Sequence, residues 1–100
     1  MILVDELQDY QMAHLPPRLR GLWCHMMSDD LTDAGLNELH ALARRIGMRR
    51  EWFQGQKPRY PHYDLRPSKR ELAIRYGAQA VESTELVQRC LRSPQKVTEL

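Results

Sequence analysis

Apolar residues in this chain fall either in short unbroken runs or in spaced stripes, and the two patterns predict different elements. Ile2-Leu3-Val4 is a run with β-branched members, closed by Asp5, and reads as a buried strand. Trp23 to Met27 reads the same way. Side chains alternate along an extended strand, so His25 shares a face with Trp23 and Met27. Leu36, Leu39, Ala43 and Ile46 follow a three-to-four spacing that predicts a helix. Thr32 or Asp33 suits its N-cap, Arg44 and Arg45 suit its negative end, and Gly47 ends it. Arg49 to Gln54 predicts one or two helical turns anchored by Trp52 and Phe53 and closed by Gly55. If Pro61 to Leu65 is a strand, His62 and Asp64 share one face and Tyr63 and Leu65 the other. Ser68 and Glu71 have capping-box spacing for a helix that runs to Tyr76, with Leu72, Ala73 and Tyr76 inward and Gly77 as terminator. Ala78 to Val81 predicts a brief strand. Ser83 is placed to cap a last helix through Leu91, with Leu86, Val87, Cys90 and Leu91 as its stripe and Pro94 as its stop.

Strands thus alternate with helices, which predicts an α/β fold: a small, mostly parallel sheet of three to four strands flanked by about four helices. The near-continuous apolar runs at Ile2–Val4 and Trp23–Met27 fit a parallel sheet covered on both faces. A single domain over residues 1–92 is expected, with residues 93–100 as a frayed tail. Residues 8–21 hold Pro16-Pro17 and Gly21 and read as a loop. Its His14, Arg18 and Arg20 would suit a lid over an anion; an ordered surface loop is the plainer alternative.

Composition narrows the classes. At 42% hydrophobic and 28% charged, the 100 residues match an ordinary globular domain. Cys24 and Cys90 are too few for a disulfide framework and are expected as reduced thiols. The apolar start Met1–Val4 is cut short by Asp5 and Glu6, so a signal peptide is not expected, and no stretch reaches the length of a membrane span. A cytosolic location follows as an expectation. The net charge of +2 conceals an asymmetry: residues 1–40 balance to −5, residues 41–76 to +7, and the rest to zero. A basic middle segment favours an anionic partner, although a solvated helix face would look the same.

Candidate chemistry gathers where the predicted strands end. Ligands of open parallel sheets sit outside the carboxyl ends of the strands, and that rule would collect Asp5, His25, Ser28, Asp29, His62 and Asp64 on one edge. His40, beside the apolar stripe of its helix, either faces the same pocket or is satisfied by a backbone carbonyl. The leading expectation is binding of a phosphate-bearing, nucleotide-like small molecule. The histidines, Ser28 and the N–H groups of the first helix would hold phosphate, helped by Arg18, Arg20, Arg59, Lys69 and Arg70. Carboxylates would take ribose hydroxyls or base N–H groups, and Trp23, Trp52, Tyr60 or Tyr63 would stack on a base. The alternative is a metal-dependent phosphoesterase or nuclease, in which His25, Asp29, His62 and Asp64 ligate a divalent ion that activates water. No Cys pair and no His-Glu-x-x-His supports that spacing, and the absence of Gly-x-Ser-x-Gly argues against a serine hydrolase built on Ser28. A nucleic-acid polymer ranks third as partner, because the basic segment lacks a recognised motif. A membrane partner is not expected, and a homo-oligomer stays open.

A resemblance enters at these residues. Ile2-Leu3-Val4-Asp5, Trp23-Cys24-His25-Met26-Met27-Ser28-Asp29, Glu38-Leu39-His40-Ala41-Leu42-Ala43, Gly47, His62-Tyr63-Asp64-Leu65 and Ala73-x-x-x-Gly77-Ala78 together resemble the small DUF4031 domains of bacteria and bacteriophages, over roughly residues 1–90. The resemblance implies that His25, Ser28, Asp29, His40, His62, Tyr63 and Asp64 belong to the family pattern. It supplies no catalytic residues, the family's function being unassigned. A phage setting would make sequestration of a host defence nucleotide signal one form of the binding expectation. The stretch between Asp5 and Trp23 and the tail after Leu91 look particular to this chain.

Overall fold

The two apolar runs form strands, but they run against each other. β1 (Ile2–Val4) pairs antiparallel with β3 (Leu22–Ser28), with Ile2 opposite Ser28, Leu3 opposite Met27 and Val4 opposite Met26. Between them in sequence, β2 (Gln8–Asp9) also pairs antiparallel with β3. On the far side of β3 lies β4 (Tyr63–Leu65), again antiparallel. Among the described residues, only β5 (Gln79–Ala80) is parallel to its neighbour, β1. The result is a five-stranded mixed sheet in the order β2-β3-β1-β5, with β4 on β3. The structure is a computed structural model and describes residues 1–9, 16, 21–55 and 61–91.

The expectation of a mostly parallel sheet of three to four strands is therefore corrected, and the reason lies in what an apolar run reports. Ile2 and Val4 enter one core cluster, with Leu39, Ala43 and Tyr63. Leu3 enters a second, with Met27, Leu86 and Cys90. A strand covered on both faces is apolar throughout whichever way its neighbour runs.

Among the described residues there are three α-helices and one 3₁₀ turn, against about four expected helices. Helices α1 (Asp33–Arg45) and α2 (Pro67–Arg75) cover the first face, and α3 (Ser83–Leu91) the second. The α1 helix starts where the sequence predicts: Thr32 Oγ1 accepts the Gly35 N–H at 3.3 Å, and Gly47, at φ 86°, ends it. The expected capping box on α2 does not form. That helix begins at Pro67, with Arg66 at the cap position and no side-chain capping hydrogen bond. Proline has no N–H to satisfy at this position, so the first turn needs less capping. Ser83 does not spend its hydroxyl on α3 either; it donates to Glu6 at 2.7 Å and Asp5 at 3.2 Å. The 3₁₀ turn spans Arg50–Trp52.

His14, Arg18, Arg20, Lys57, Arg59, Tyr60, the tail over 93–100 and the Leu91 side chain lie outside the described residues. Among those described, no helix is long and apolar enough to cross a membrane. Both cysteines are buried, and neither forms a disulfide. Burial, reinforced by nearby Asp5, pushes the Cys24 thiol up to about 12, so it is not a thiolate nucleophile at neutral pH.

Candidate functional site

The site begins with a register change. Three residues of the β1–β2 strand, Asp5 to Leu7, stand opposite only two of β3, Cys24 and His25. This extra residue is a bulge, and it breaks the ladder at Asp5. The Asp5 N–H still donates to the His25 carbonyl at 3.2 Å. The return bond comes from the side chain: the His25 N–H donates to Asp5 Oδ1 at 2.6 Å. The other carboxylate oxygen, Oδ2, lies 2.9 Å from His25 Nδ1. Arg70 Nε donates to the Asp5 carbonyl at 2.8 Å. Asp5 is only 2% exposed, so this carboxylate fixes both the backbone and the ring of His25 from inside the protein.

The pleat supplies the rest. His25 stands directly opposite Asp64 across the β3–β4 pair, so both project from one face. His62 precedes Asp64 by two residues and is the diagonal neighbour on that face. The two imidazole rings meet edge to face at 5.2 Å between centroids. His62 Nε2 lies 3.4 Å from Asp64 Oδ1, and His25 Nε2 lies 4.0 Å from the same oxygen. The second oxygen, Asp64 Oδ2, accepts from Gln54 Nε2 at 2.6 Å. Gln54 is brought there by a backbone bridge to His62, its N–H donating to the His62 carbonyl at 2.9 Å. Burial acts to raise the Asp64 carboxyl, but His62, Gln54 and His25 outweigh it and hold it below the ordinary carboxylate value. One ligand atom each from His25, His62 and Asp64 lies within 4.8 Å of the other two. A tetrahedral ion with bonds of about 2.1 Å wants donor atoms about 3.4 Å apart. The His62–Asp64 distance already meets that value, and His25 Nε2, 4.0 Å from the same Asp64 oxygen, has to move closer to join them.

Other predicted residues lie elsewhere. Antiparallel pairing sets Asp5 beside the middle of β3 and sends Ser28 and Asp29 to the opposite end, next to Met1. There Asp29 binds the Met1 ammonium at 2.8 Å and Arg89 at 2.7 Å. These partners outweigh burial and hold its carboxyl low. The buried Ser28 hydroxyl accepts the Asp30 N–H at 3.1 Å. The grouping of Asp29 and Ser28 with His25, His62 and Asp64 is thereby corrected. His40 and Tyr63 are on the other side of the sheet, where His40 Nδ1 lies 2.8 Å from the Tyr63 hydroxyl and the His40 ring packs edge-on against Phe53. Lys69 Nζ donates to the Ile46 carbonyl at 2.7 Å.

A family model for DUF4031, described as a protein of unknown function, matches residues 2–93. The chain belongs to the DUF4031 family. No curated protein and no solved structure matches it.

In this DUF4031 chain the His/Asp cluster borders a cavity of about 700 Å³, and Asp64 belongs to both. Trp23, Trp52, Arg66 and Lys69 line it as well. The Arg66 guanidinium lies over the Trp23 ring at 4.2 Å, which orients both. Sequence reasoning named the two tryptophans and Lys69 but missed Gln54, Arg66 and Ser83. Arg66, two residues after Asp64 on an alternating strand, was open to that reasoning. Gln54 and Ser83 were not, because only tertiary pairing carries them to Asp64 and Asp5.

Proposed function

We propose that this chain binds a divalent transition-metal ion through His25, His62 and Asp64 and uses it to hydrolyse a phosphate ester of a nucleotide-like small molecule. The observation that carries this reading is the convergence of two imidazoles and one carboxylate on a common point, with Asp5 behind His25. Two nitrogens and one oxygen suit a first-row divalent ion and leave coordination positions for water and substrate. A buried carboxylate on the far ring nitrogen is what usually orients a metal-ligating histidine, setting its tautomer and raising its basicity. The ion would lower the pKa of a bound water and polarise a phosphoryl oxygen. In the reaction the water oxygen bonds to phosphorus, the P–O ester bond breaks, and the water's proton leaves with the released alcohol. The adjoining cavity supports the substrate class: two indole surfaces for a planar base, and Arg66 and Lys69 for its phosphate.

The test is metal binding followed by turnover. Calorimetric titration of the apo protein with Zn²⁺, Mn²⁺ and Co²⁺ is expected to give one site per chain, lost in a His62→Ala/Asp64→Ala variant. The loaded protein is then expected to cleave bis(p-nitrophenyl) phosphate or a member of a nucleotide panel, and a chelator to stop it. A parent protein with no saturable metal binding overturns the reading.

The cavity itself favours a second reading, binding without turnover, because its two indoles, two cations and two carboxylates, Glu51 and Asp64, can take the base, phosphate and hydroxyls of a nucleotide without a metal. In that case mass spectrometry finds the same nucleotide intact after denaturation, and a chelator leaves its affinity unchanged.

A further inference from the structure

His40 and Tyr63 are left unused by the metal cluster, and they form part of a different concavity. A cavity of about 590 Å³ opens on the α1 side of the sheet, the face opposite His25, His62 and Asp64. One wall is a single stripe of α1, in which Asn37, His40, Ala41 and Arg44 recur at helical spacing. The other is Met48 with Arg50 of the 3₁₀ turn, and the Tyr63 hydroxyl reaches it from the core.

Its charge is one-sided. The described lining holds two guanidiniums and no carboxylate. Among the described residues neither Arg44 nor Arg50 makes an ion pair, while Arg49 next door pairs with Glu51 and Arg89 with Asp29. Arg50 lies over the Phe53 ring at 5.1 Å, which restrains its guanidinium. Burial, helped by the charge of Arg50, lowers the His40 pKa, so the imidazole enters as a neutral hydrogen-bonding group on the Tyr63 hydroxyl. Two forked cations above a neutral polar floor is the arrangement that takes a dianion with several oxygens. The volume exceeds what a bare phosphate fills and falls in the range of small organic ligands. Ala41 and Met48 give the organic part an apolar surface.

We infer that the groove between α1 and the 3₁₀ turn is a second binding site, for an organic phosphomonoester held by Arg44 and Arg50. It also gives the basic middle of the sequence a specific use. The inference does not rest on the metal reading, since the two sites share no polar residue.

Phenyl phosphate and inorganic phosphate serve as probes, titrated into ¹⁵N-labelled full-length protein. Phenyl phosphate is expected to saturate, with the largest amide shifts at His40, Arg44 and Arg50. Inorganic phosphate is expected to bind at the same place and at least about tenfold more weakly. Arg44→Ala/Arg50→Ala removes two charge-assisted contacts and is expected to weaken phenyl phosphate by about tenfold or more. Both arginines are exposed, so the variant keeps its melting temperature. Arg44→Lys/Arg50→Lys keeps the charge, loses the fork and is expected to fall between. His62→Ala/Asp64→Ala is expected to bind phenyl phosphate as the parent does. Unchanged affinity in the double-alanine variant overturns the site, as does a shift map centred on His25. Equal affinity for the two probes overturns the organic ligand and leaves free phosphate as the occupant.

Discussion

Asp29 at one end of β3 and Asp5 beside its middle are both carboxylates at the margins of short strands, yet the protein uses them differently. Around Asp29 each charge is met by an opposite charge. The Met1 ammonium and the Arg89 guanidinium take its two oxygens, Ser28 bonds back to the Asp30 N–H, and Asp30 Oδ1 accepts from Thr32. The effect is to lock the start of β1 and the end of α3 onto β3. Around Asp5 the carboxylate instead meets a neutral-capable imidazole, which in turn stands beside a second imidazole and a second carboxylate. One atom of a metal-ligating kind from each of His25, His62 and Asp64 then faces the other two within 4.8 Å. What separates a site from a structural network here is this direction of the donors, not the number of polar residues.

The sharpest way to break the comparison is to remove one donor from each end. His62→Ala deletes a proposed ligand that is not part of the apolar core, and we expect metal affinity to fall by about 100-fold or more. Asp29→Ala, at the other end, is expected to leave metal affinity unchanged. Equal losses in the two variants, read by calorimetry, would mean that the ion does not sit on the His62 face.

Asp5 tests whether the buried carboxylate works through His25. Asp5→Asn keeps the shape and one acceptor oxygen but replaces the charge that orients the imidazole. A loss of metal affinity of about 10- to 100-fold is expected, with the His62–Asp64 pair intact. Asp5→Ala goes further and leaves the part-buried His25 N–H without its acceptor, at a cost of about 2 kcal/mol in urea unfolding. A small change in both quantities would reduce Asp5 to a bystander.

At the structural end the largest single effect expected is at the helix start. Thr32 Oγ1 accepts the Gly35 N–H and itself donates to Asp30 Oδ1 at 2.6 Å. Thr32→Ala is expected to lose about 1 kcal/mol of stability with no change in metal binding.

Much of this was legible from local pattern and some was not, for physical reasons. The shared face of His62 and Asp64 follows from the strand period alone, and so does the separation of Tyr63 from them. The α1 boundaries follow from Thr32 and Gly47. The direction of β1 against β3 was hidden, because burial on both faces erases the alternation that marks an antiparallel strand. That one reversal moved Asp29 out of the cluster and set Asp5 against the flank of His25. It also explains why a rule built for the carboxyl ends of parallel strands gathered residues that the fold separates. Hidden too was the Asp5 bulge, since an extra residue in a register is visible only once both strands are paired. Ser83 reads as a cap in sequence because serine before a helical stripe usually is one. The carboxylates of Asp5 and Glu6, brought to it by the β1–β5 pairing, are stronger acceptors for its hydroxyl.

The smallest effect concerns Asp29 and acid, and its sign is fixed by the ion pair. Its carboxyl is lower in the folded chain than the ordinary 3.8, because the Met1 ammonium and Arg89 outweigh burial. The stability it contributes is therefore fully present above that ordinary value and is lost as pH falls through the lower folded one. Asp29 and Arg89 are about one-quarter exposed, so solvent weakens the pair, and Asp29→Asn is expected to cost only about 0.5–1 kcal/mol at pH 7. Urea midpoints of the parent and the variant are expected to converge as the pH is lowered past the carboxylate range. A gap that stays constant into acid would assign the loss to the shape of the side chain rather than its charge. In that case Asp29 would hold the strand end by hydrogen bonding alone, and the contrast between the two ends of β3 would rest on geometry without the electrostatic part.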